Sequence, residues 1–314
     1  MNFRTEITAV PADFRISHSD KIEMLGSCFV ESISSKFTDA GFRLDVNPFG
    51  IVYNPFSLSN NLNQLLDDKR FTANDLFCDK EIFHSFSHHS RFSGTDPELV
   101  LEKINSRLND SSAFLRNADL LIITFGTAFV YRLHSTGEVV ANCHKIPSGQ
   151  FTYKRLTVEE IVKEWTNLIS RLQALRPEMK ILFTVSPIRH WKDGAHQNQL
   201  SKSTLLLAVD ELIKRNSNTY YFPSYEILLD DLRDYRFYAD DLLHPSAQAV
   251  DYIWEKFSET YFDKQTTEKI REYERIQQAL NHRPFHPESE EYKAFIEKAK
   301  AQLETFLRER EIRG

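Results

Sequence analysis

The chain has 314 residues, of which 27% are charged and 41% are hydrophobic, and its formal net charge is −6. These proportions are those of an ordinary globular protein, and the acidic balance excludes a nucleic-acid partner held mainly through its phosphates. No apolar stretch approaches the ~20 residues of a membrane-spanning helix, and the three cysteines are too few for a disulfide framework. The first residues carry no apolar signal segment either, so we expect a cytoplasmic protein.

The first predicted element is an apolar strand over residues 21–26, followed by a helix over roughly 28–40. If this helix begins at Cys28, Ser27 is its natural N-cap, and the Ser27 hydroxyl is occupied by backbone N–H groups. Cys28 then lies in the first turn, where unpaired N–H groups and the helix dipole favour a thiolate. Cys28 is therefore the candidate nucleophile and Ser27 the alternative. The structural interpretation of Cys28 is a small buried hydrophobic residue.

The next segments mix regular and irregular patterns. Residues 42–46 alternate like a short strand and run into a turn-rich loop, in which Gly50 is free to take a positive φ. Residues 57–67 predict a helix. Residues 70–95 are rich in Phe, His and Ser and fit no single element, so they are equally consistent with the lining of a cleft and with a surface hairpin.

The middle of the chain alternates strands and helices. Residues 118–126 form a continuous apolar run that ends at Gly126 and is typical of a buried parallel strand. A hairpin over 131–143, a helix that begins at the Thr157 capping box, and a strand over 180–185 follow. Together with the strand predicted at 220–222, about five strand–helix repeats predict a parallel sheet covered by helices on both faces. In such sheets ligands bind at the carboxyl ends of the strands.

Asp241 and His244 lie just before a helix that opens at residues 245–246. A carboxylate on one imidazole nitrogen fixes the tautomer and supports the imidazolium, while the other nitrogen is free to take a proton from a nucleophile. The alternative is that Asp241 caps the helix and His244 is a surface residue. Asp240 stands beside Asp241 and leaves open which carboxylate orients the imidazole.

Two further polar stretches follow predicted strands. Asn142, Cys143 and His144 follow the hairpin and can face the same cleft. The set Cys28, Cys143, His144 and His244 matches no familiar zinc spacing, so we predict no metal site. Arg189 and His190 follow the strand at 180–185, where contact with a substrate and stabilisation of a loop are equally consistent.

The chain changes character near residue 261, where charges of alternating sign become dense. We therefore divide it into a domain over 1–260 and an amphipathic helical extension over 261–314. The last helix carries an apolar stripe from Tyr292 to Leu307 at three- and four-residue spacing. This stripe predicts either docking on the chain's own domain or a homodimer formed through these helices.

Several of these segments resemble one family. Residues 26–30, Gly-Ser-Cys-Phe-Val, look like the signature of the GSCFA domain family and depart from it only at Val30, where alanine is expected. Residues 125–128, 142–145, 186–190 and 234–246 also resemble blocks of that family, in the same order. The resemblance covers roughly residues 20–255 and leaves out the tail from about 261.

This family is similar to the SGNH, or GDSL-type, esterases and acyltransferases. The resemblance implies a flavodoxin-like three-layer α/β/α fold with a mostly parallel five-stranded sheet. It also implies a nucleophile in the first block, where Cys28 takes the usual serine position, and an Asp-x-x-His pair at Asp241 and His244.

The same superfamily forms its oxyanion hole from the nucleophile's own N–H, a glycine and an asparagine. The resemblance implies Gly50 as the glycine, with Gly126 in the third block. The expected asparagine is missing there, so either Thr127 substitutes for it or Asn142 reaches in. His144, Arg189 and His190 complete the expected substrate-binding set.

The sequence thus predicts an enzyme without a cofactor that transfers acyl groups, as an esterase or an O-acyltransferase acting on a small or carbohydrate ester. A second hypothesis is a carbohydrate- or ligand-binding module that has lost hydrolysis, since one missing oxyanion donor can cost ~100-fold or more in rate. The third is a thiol redox protein, which would need Cys28 and Cys143 to approach within disulfide reach.

Overall fold

The computed structural model describes residues 4–10 and 12–311, so the outer limits of the two predicted units, residues 1 and 314, lie outside the described residues. Its centre is a parallel sheet made of β1 (Lys21–Gly26), β2 (Arg43–Val46), β5 (Leu120–Phe125), β9 (Lys180–Val185) and β10 (Thr219–Phe222). From edge to edge the order is β10-β9-β5-β1-β2. Read from the other edge, this is the flavodoxin-like order, in which the chain reverses direction across the sheet between β1 and β5. The predicted mostly parallel five-stranded sheet is confirmed.

Helices cover both faces of this sheet. They are α1 (Cys28–Asp39), α2 (Pro55–Leu66), α3 (Pro97–Leu115), α4 (Val158–Leu175), α5 (Gly194–Arg215), a short α6 (Ser224–Glu226) that continues as a π-helix over Ile227–Leu232, α7 (Ala247–Tyr261), α8 (Lys264–Leu280) and α9 (Glu290–Glu311). Strand β5 shows why both faces need cover, since Leu121 and Ile123 pack toward α2–α5 while Leu120 and Ile122 pack toward α1 and α7. A strand buried on both faces is therefore continuously apolar.

Strand register brings the carboxyl ends of the three central strands to the same level. Gly26 of β1 pairs with Thr124 of β5, and Thr124 pairs with Thr184 of β9. The loops that follow these strands consequently start side by side, next to the point where the strand order reverses. Ligands of open parallel sheets bind at such points.

Two small antiparallel sheets lie outside the central one. The first contains β3 (Phe77–Asp79) and β4 (Ile82–His84), and the second contains β6 (Phe129–Leu133), β7 (Val139–Val140) and β8 (Phe151–Arg155). The first accounts for part of residues 70–95, which the sequence pattern left unassigned. The second contains the predicted hairpin over 131–143, whereas its strand β8 was not predicted.

The C-terminal helices dock on the main domain. Phe306 of α9 is buried and lies edge-on to His18, with ring centroids 5.4 Å apart. Arg310 donates a hydrogen bond to the carbonyl oxygen of Gly41 at 3.0 Å, and Thr266 of α8 donates one to the carbonyl oxygen of Ile16 at 2.9 Å. The C-terminal end of the α9 stripe thus packs on the main domain, whereas Tyr292 and Phe295 at its other end contact His282 of the extension, and the homodimer stays a prediction. No helix within residues 4–10 and 12–311 has the length and apolarity needed to cross a membrane.

Candidate functional site

The junction of β1 and α1 has the geometry that its sequence predicts. Helix α1 begins at Cys28, and Ser27 is its N-cap, with the hydroxyl accepting a 3.4 Å hydrogen bond from the N–H of Phe29. Ser27 is buried, whereas Cys28 is half-buried. The Cys28 Sγ lies 3.6 Å from the hydroxyl of Tyr53. Burial and the Cys28 contact raise the pKa of the Tyr53 phenol, so this hydroxyl stays protonated and is able to donate to the sulfur.

Gly26 allows β1 and β5 to approach closely at this junction. Its φ is +152°, and a Cβ atom at this position would lie 2.4 Å from the carbonyl oxygen of Thr124. Because this oxygen belongs to the backbone of β5, no side-chain movement can make room for a Cβ atom. We infer that glycine is required here by the packing of the two strands.

Gly126 joins the loop after β5 to the first junction. A Cβ atom at Gly126 would lie 3.0 Å from the carbonyl oxygen of Tyr53, 3.2 Å from Nε2 of His190 and 3.3 Å from Cβ of Ser27. Ser27 and the His190 imidazole therefore flank the same point above the strand ends. A side chain at residue 126 would fill the space between them.

His190 presents a neutral imidazole to this point. Its Nε2 atom is buried and has no hydrogen-bond partner in the part of the chain that the structure describes. Burial, followed by the charges of Lys202 and His244, lowers the pKa of His190 to about 3. The backbone N–H of His190 donates to the side-chain oxygen of Asn198 at 2.9 Å, which holds the residue in place. His190 is therefore available as a neutral donor or acceptor for a bound molecule.

Asp241 and His244 form the predicted pair. The Nδ1 atom of His244 lies 2.6 Å from Oδ2 of Asp241, and the two side chains are each close to half exposed. The other carboxylate oxygen of Asp241 accepts the N–H groups of Leu243 and His244, both at 2.9 Å. These two backbone hydrogen bonds, with the imidazole contact, lower the pKa of Asp241 to about 2. The carboxylate consequently stays charged, and Nε2 of His244 is left free for proton transfer.

Arg189 fixes the loop that carries this pair. Its backbone N–H donates to the carbonyl oxygen of Leu243 at 3.2 Å, and its guanidinium donates to the carbonyl oxygen of Leu242. The guanidinium also lies over the ring of Tyr238, 4.5 Å from its centroid. The loop after β9 thus holds the Asp241–His244 loop beside His190, and Arg189 acts here through loop stabilisation.

The residues expected to form an oxyanion hole have their amides occupied. The N–H of Gly50 donates to the carbonyl oxygen of Asn47 at 2.8 Å. The N–H groups of Gly126 and Thr127 both donate to the carbonyl oxygen of Tyr53, at 2.7 and 3.0 Å. The backbone N–H of Cys28, at the first position of a helix, has no intrahelical partner and is the remaining candidate.

Asn142 and His144 lie farther along the cleft. The Asn142 amide donates to the Ser90 hydroxyl at 3.3 Å, and its oxygen accepts the N–H of His144 at 2.9 Å. Nε2 of His144 lies 2.8 Å from the carbonyl oxygen of Ser85, and burial lowers the pKa of His144. His144 therefore stabilises the loop around Ser85, while Asn142 lines the groove described next. Within the described ranges no group of three or more His, Cys, Asp and Glu side chains has a geometry that could hold a metal ion.

A groove of about 520 Å³ opens beside the strand ends. It shares Tyr53 and His190 with the site, and its far wall is the β6–β8 sheet. Phe129 stacks on Tyr153 with centroids 4.9 Å apart, and Tyr131 lies 4.5 Å from Tyr153. The groove residues are Ile51, Tyr53, Asn54, His89, Thr127, Phe129, Tyr131, Val140, Ala141, Asn142, Cys143, Ile146, Ser148, Phe151, Tyr153, His190, Lys192 and Asp193.

Polar side chains edge the aromatic wall of this groove. The hydroxyl of Tyr153 donates to Asp193 at 2.5 Å, and the ammonium of Lys192 donates to the hydroxyl of Tyr131. The same ammonium lies 4.7 Å from the centroid of the Tyr153 ring. The wall therefore combines aromatic surface with donors and acceptors at its rim.

Sequence reasoning missed Tyr53 and a row of three polar residues on α5. Asn198, Ser201 and Lys202 are buried at positions that share one helical face with Leu205 and Ala208. Polar residues that interrupt a core-facing stripe at three- and four-residue spacing are the signal that could have found this row. Tyr53 carried no such signal, since one aromatic residue in a turn-rich loop is common.

Two buried imidazoles make the fold sensitive to acid. Burial lowers the pKa of His88, like that of His190, to about 3, whereas an unfolded chain binds these protons near pH 6.5. The stability that these neutral imidazoles contribute is therefore fully present above pH 6.5, and it is lost as the pH falls from 6.5 toward 3. Between pH 6.5 and 4.5 the free energy of unfolding of the wild type falls by about 2 kcal/mol for each of these imidazoles. We expect His88→Gln to lack one such decrease when unfolding by denaturant is measured at both pH values. His282→Gln at an exposed histidine is the control, and equal pH slopes for both variants would contradict the assignment.

Two family models match parts of this chain. A model of the GSCFA family matches residues 21–257, and a second, described as the C-terminal domain of GSCFA domain proteins, matches residues 273–310. The second match falls in the tail that the sequence resemblance left out. No curated protein matches the sequence.

Solved structures similar to this chain include carbohydrate esterases. A Clostridium thermocellum family 3 carbohydrate esterase is 14% identical, with 80% of this chain and 97% of that chain covered and a TM-score of 0.34. A family 3 carbohydrate esterase from Talaromyces cellulolyticus is 8% identical, with 80% and 98% covered and a TM-score of 0.36. A family 2 enzyme with a carbohydrate-binding domain from Corynascus thermopiles (Myceliophthora fergusii) is 13% identical, with 83% and 69% covered and a TM-score of 0.40.

Proposed function

Since this chain belongs to the GSCFA family, we propose that it is an acyl-transfer enzyme, an esterase or O-acyltransferase that acts on a small or carbohydrate ester. The observation that carries the proposal is the Asp241–His244 pair, joined by the 2.6 Å contact and held by Arg189 beside the strand ends where Ser27 and Cys28 lie. A carboxylate–imidazole pair and a thiol at a helix start are the groups that covalent acyl transfer uses.

The reaction proceeds in two balanced steps. His244 takes the proton of the Cys28 thiol as Sγ bonds to the ester carbonyl carbon, and the imidazolium is supported by Asp241. The tetrahedral intermediate then expels the alcohol, which receives that proton from His244, and leaves a thioester on Cys28. Water or a second alcohol next gives its proton to His244 as it attacks the thioester. The Cys28 thiolate then leaves and takes that proton from His244, which restores the thiol and releases the acid or the new ester.

The hydroxyl of Tyr53 and the N–H of Cys28 are the donors that support this chemistry. The Tyr53 hydroxyl lies 3.6 Å from Sγ, and its raised pKa keeps it a donor. The Cys28 N–H stands at the positive end of α1, where a developing oxyanion is stabilised. These two groups take the place of the occupied amides of Gly50, Gly126 and Thr127.

The groove supports a carbohydrate as the part of the substrate that carries the ester. Sugar rings present apolar faces to aromatic side chains and hydroxyl groups to polar rims, and the β6–β8 wall offers both. We expect Tyr153→Ala to raise KM for an acetylated oligosaccharide about 10-fold, the loss of about 1.4 kcal/mol of binding, and to leave p-nitrophenyl acetate turnover unchanged. Phe285→Ala, at a fully exposed ring, is the control. Equal changes for both substrates would show that Tyr153 supports the fold instead of the sugar.

Trapping the covalent intermediate tests the proposal directly. The protein is mixed with p-nitrophenyl acetate, quenched in acid, and mapped by peptide mass spectrometry. We expect one acetyl group on the peptide that holds Ser27 and Cys28, removed by neutral hydroxylamine as a thioester is. Cys78→Ala, at an exposed cysteine, is expected to acetylate normally. An unmodified peptide together with no release of nitrophenol refutes the proposal.

The occupied amides favour a second candidate function, a ligand-binding module that no longer hydrolyses esters. Three of the amides expected to stabilise an oxyanion are bonded to backbone carbonyls, and this arrangement suits binding better than catalysis. A protein that binds oligosaccharides by calorimetry, turns over no ester and alkylates Cys28 no faster than a free peptide cysteine would support this candidate.

The setting and assembly of the protein are part of the proposal. Its three cysteines are all free, and the chemistry above requires Cys28 as a thiol, so we propose a reducing, cytoplasmic setting.

We also propose a homodimer formed through α8 and α9. It predicts a sedimentation mass twice that of one chain, and a single-chain mass at all concentrations would reject it.

A further inference from the structure

Lys202 is a charged residue in an unusual place. It lies on α5 with 1% of its surface exposed, directly beneath the candidate site. Its ammonium donates to the carbonyl oxygens of Gly126 at 2.7 Å and of Ser186 at 2.6 Å. No ion pair joins Lys202 to a carboxylate in the portion of the chain that is described. A lysine is rarely buried unless it is paired, because its charge loses hydration.

The two carbonyl groups belong to the loops that build the site. Gly126 follows β5 and lies against Ser27, and Ser186 follows β9 at the start of the segment that carries His190. Holding the carbonyl of Gly126 also orients the N–H of Thr127 in the same peptide plane, since that plane is rigid. This N–H donates to the carbonyl oxygen of Tyr53 at 3.0 Å.

A path of hydrogen bonds and backbone segments therefore connects Lys202 with the candidate nucleophile. The N–H groups of Gly126 and Thr127 hold the backbone of Tyr53, whose hydroxyl contacts Sγ of Cys28 at 3.6 Å. On the other side, the segment that begins at Ser186 carries His190, and the charge of Lys202 contributes to the lowered pKa of the His190 imidazole. Two neighbours of Lys202 on α5 bind the same loops. The Ser201 hydroxyl accepts a hydrogen bond from the N–H of Ala128 at 2.8 Å, and the Asn198 side chain accepts one from the N–H of His190.

We propose that Lys202 is a positioning residue of the acyl-transfer site, whose buried ammonium ties the loops after β5 and β9 together and thereby sets Tyr53 against Cys28 and His190 against Ser27. This inference rests on the proposed function for its kinetic consequence. The contact of the ammonium with the two carbonyl groups stands without it. The groups that face the ammonium are the two carbonyls, the His190 imidazole and the ring of Tyr225, whose centroid lies 5.7 Å away.

Titration of the lysine reports on the contact independently of turnover. Burial lowers the pKa of Lys202 to about 7, so the side-chain carbon and nitrogen signals of one lysine are expected to titrate about three pH units below the others. These signals are assigned by their loss in Lys202→Gln. If the signals lost in Lys202→Gln titrate like those of exposed lysines and the substitution also leaves the His190 signals unchanged, the ammonium is not held against the two carbonyl groups and the inference is refuted.

Kinetics of paired variants test the positioning role. We expect Lys202→Gln to lower kcat at least 10-fold with little change in KM, and to shift the imidazole signals of His190 at pH 7. Wild-type activity is expected to fall as the pH rises through 7, because the ammonium loses its proton, and Lys202→Gln lacks this decline. Lys202→Met, which has neither donor nor charge, is expected to lose more activity than Lys202→Gln.

Leu205→Ala separates positioning from simple destabilisation. This residue is fully buried on the same helix, so the variant loses stability without touching either carbonyl. We expect it to keep the wild-type kcat, pH profile and His190 signals below its melting temperature. If Leu205→Ala and Lys202→Gln behave alike, Lys202 is only structural. If the wild type turns over no ester, the proposed function fails, whereas the lysine titration and the His190 signals still decide whether the contact exists.

Discussion

We expect His244→Ala to lower ester turnover by about 10³-fold or more. Without the imidazole, no side chain takes the thiol proton during attack or returns it to the leaving alcohol. The effect is expected in kcat, since substrate binding in the groove does not involve His244. Turnover of p-nitrophenyl acetate and of an acetylated oligosaccharide is measured at pH 7.

Asp241→Asn isolates the role of the carboxylate charge. Asparagine keeps an oxygen that accepts the N–H groups of Leu243 and His244, so the loop is expected to stay folded. It supplies no negative charge for the imidazolium, and a loss of about 10² to 10⁴-fold is expected. Because the pKa of Asp241 is about 2, this residue contributes no pH dependence to the wild-type rate above pH 4.

His282→Ala is the matched control for the imidazole, because this histidine lies on the C-terminal extension away from the strand ends. It is expected to keep wild-type turnover and stability. The N-cap of the following helix is Ser246, so full activity of His244→Ala would show that the Asp241–His244 pair only stabilises its own loop, and the acyl-transfer proposal would then be abandoned.

The second large effect is expected at the nucleophile. Cys28→Ala removes the atom that forms the thioester, so we expect a loss similar to that of His244→Ala and no acetyl group on the peptide. The effects of the two variants are not expected to add, because the thiol and the imidazole act as one unit. Cys78→Ala, at an exposed cysteine, should keep full activity.

Ser27→Ala distinguishes the two candidate nucleophiles. The Ser27 hydroxyl is the N-cap of α1, so its removal is expected to lower stability by about 1 kcal/mol and to leave most of the turnover. Chemical denaturation and the ester assay are measured on the same samples. Loss of turnover in Ser27→Ala with full activity in Cys28→Ala would reverse the assignment and make Ser27 the nucleophile.

Local patterns were enough to predict the framework. The apolar run over residues 118–126 predicted a strand buried on both faces, and Ser27 predicted the start of α1, because these features depend on neighbours in sequence. The Asp241–His244 contact was also predictable, since a three-residue spacing places both side chains on one turn. The pattern left the docking of α9 open against a homodimer, because its contacts with His18 and Gly41 lie far away along the chain.

What the sequence by itself determined is therefore the alternation of strands and helices, the parallel sheet, and the residue types that could perform acyl transfer. Only the tertiary structure decided which of them meet. It placed His190 against Gly126, occupied the amides of Gly50 and Thr127, and buried Lys202 against the carbonyl groups of Gly126 and Ser186. The physical reason is that hydrogen-bond partners and burial depend on residues far apart in sequence, whereas propensity and spacing depend on nearby ones.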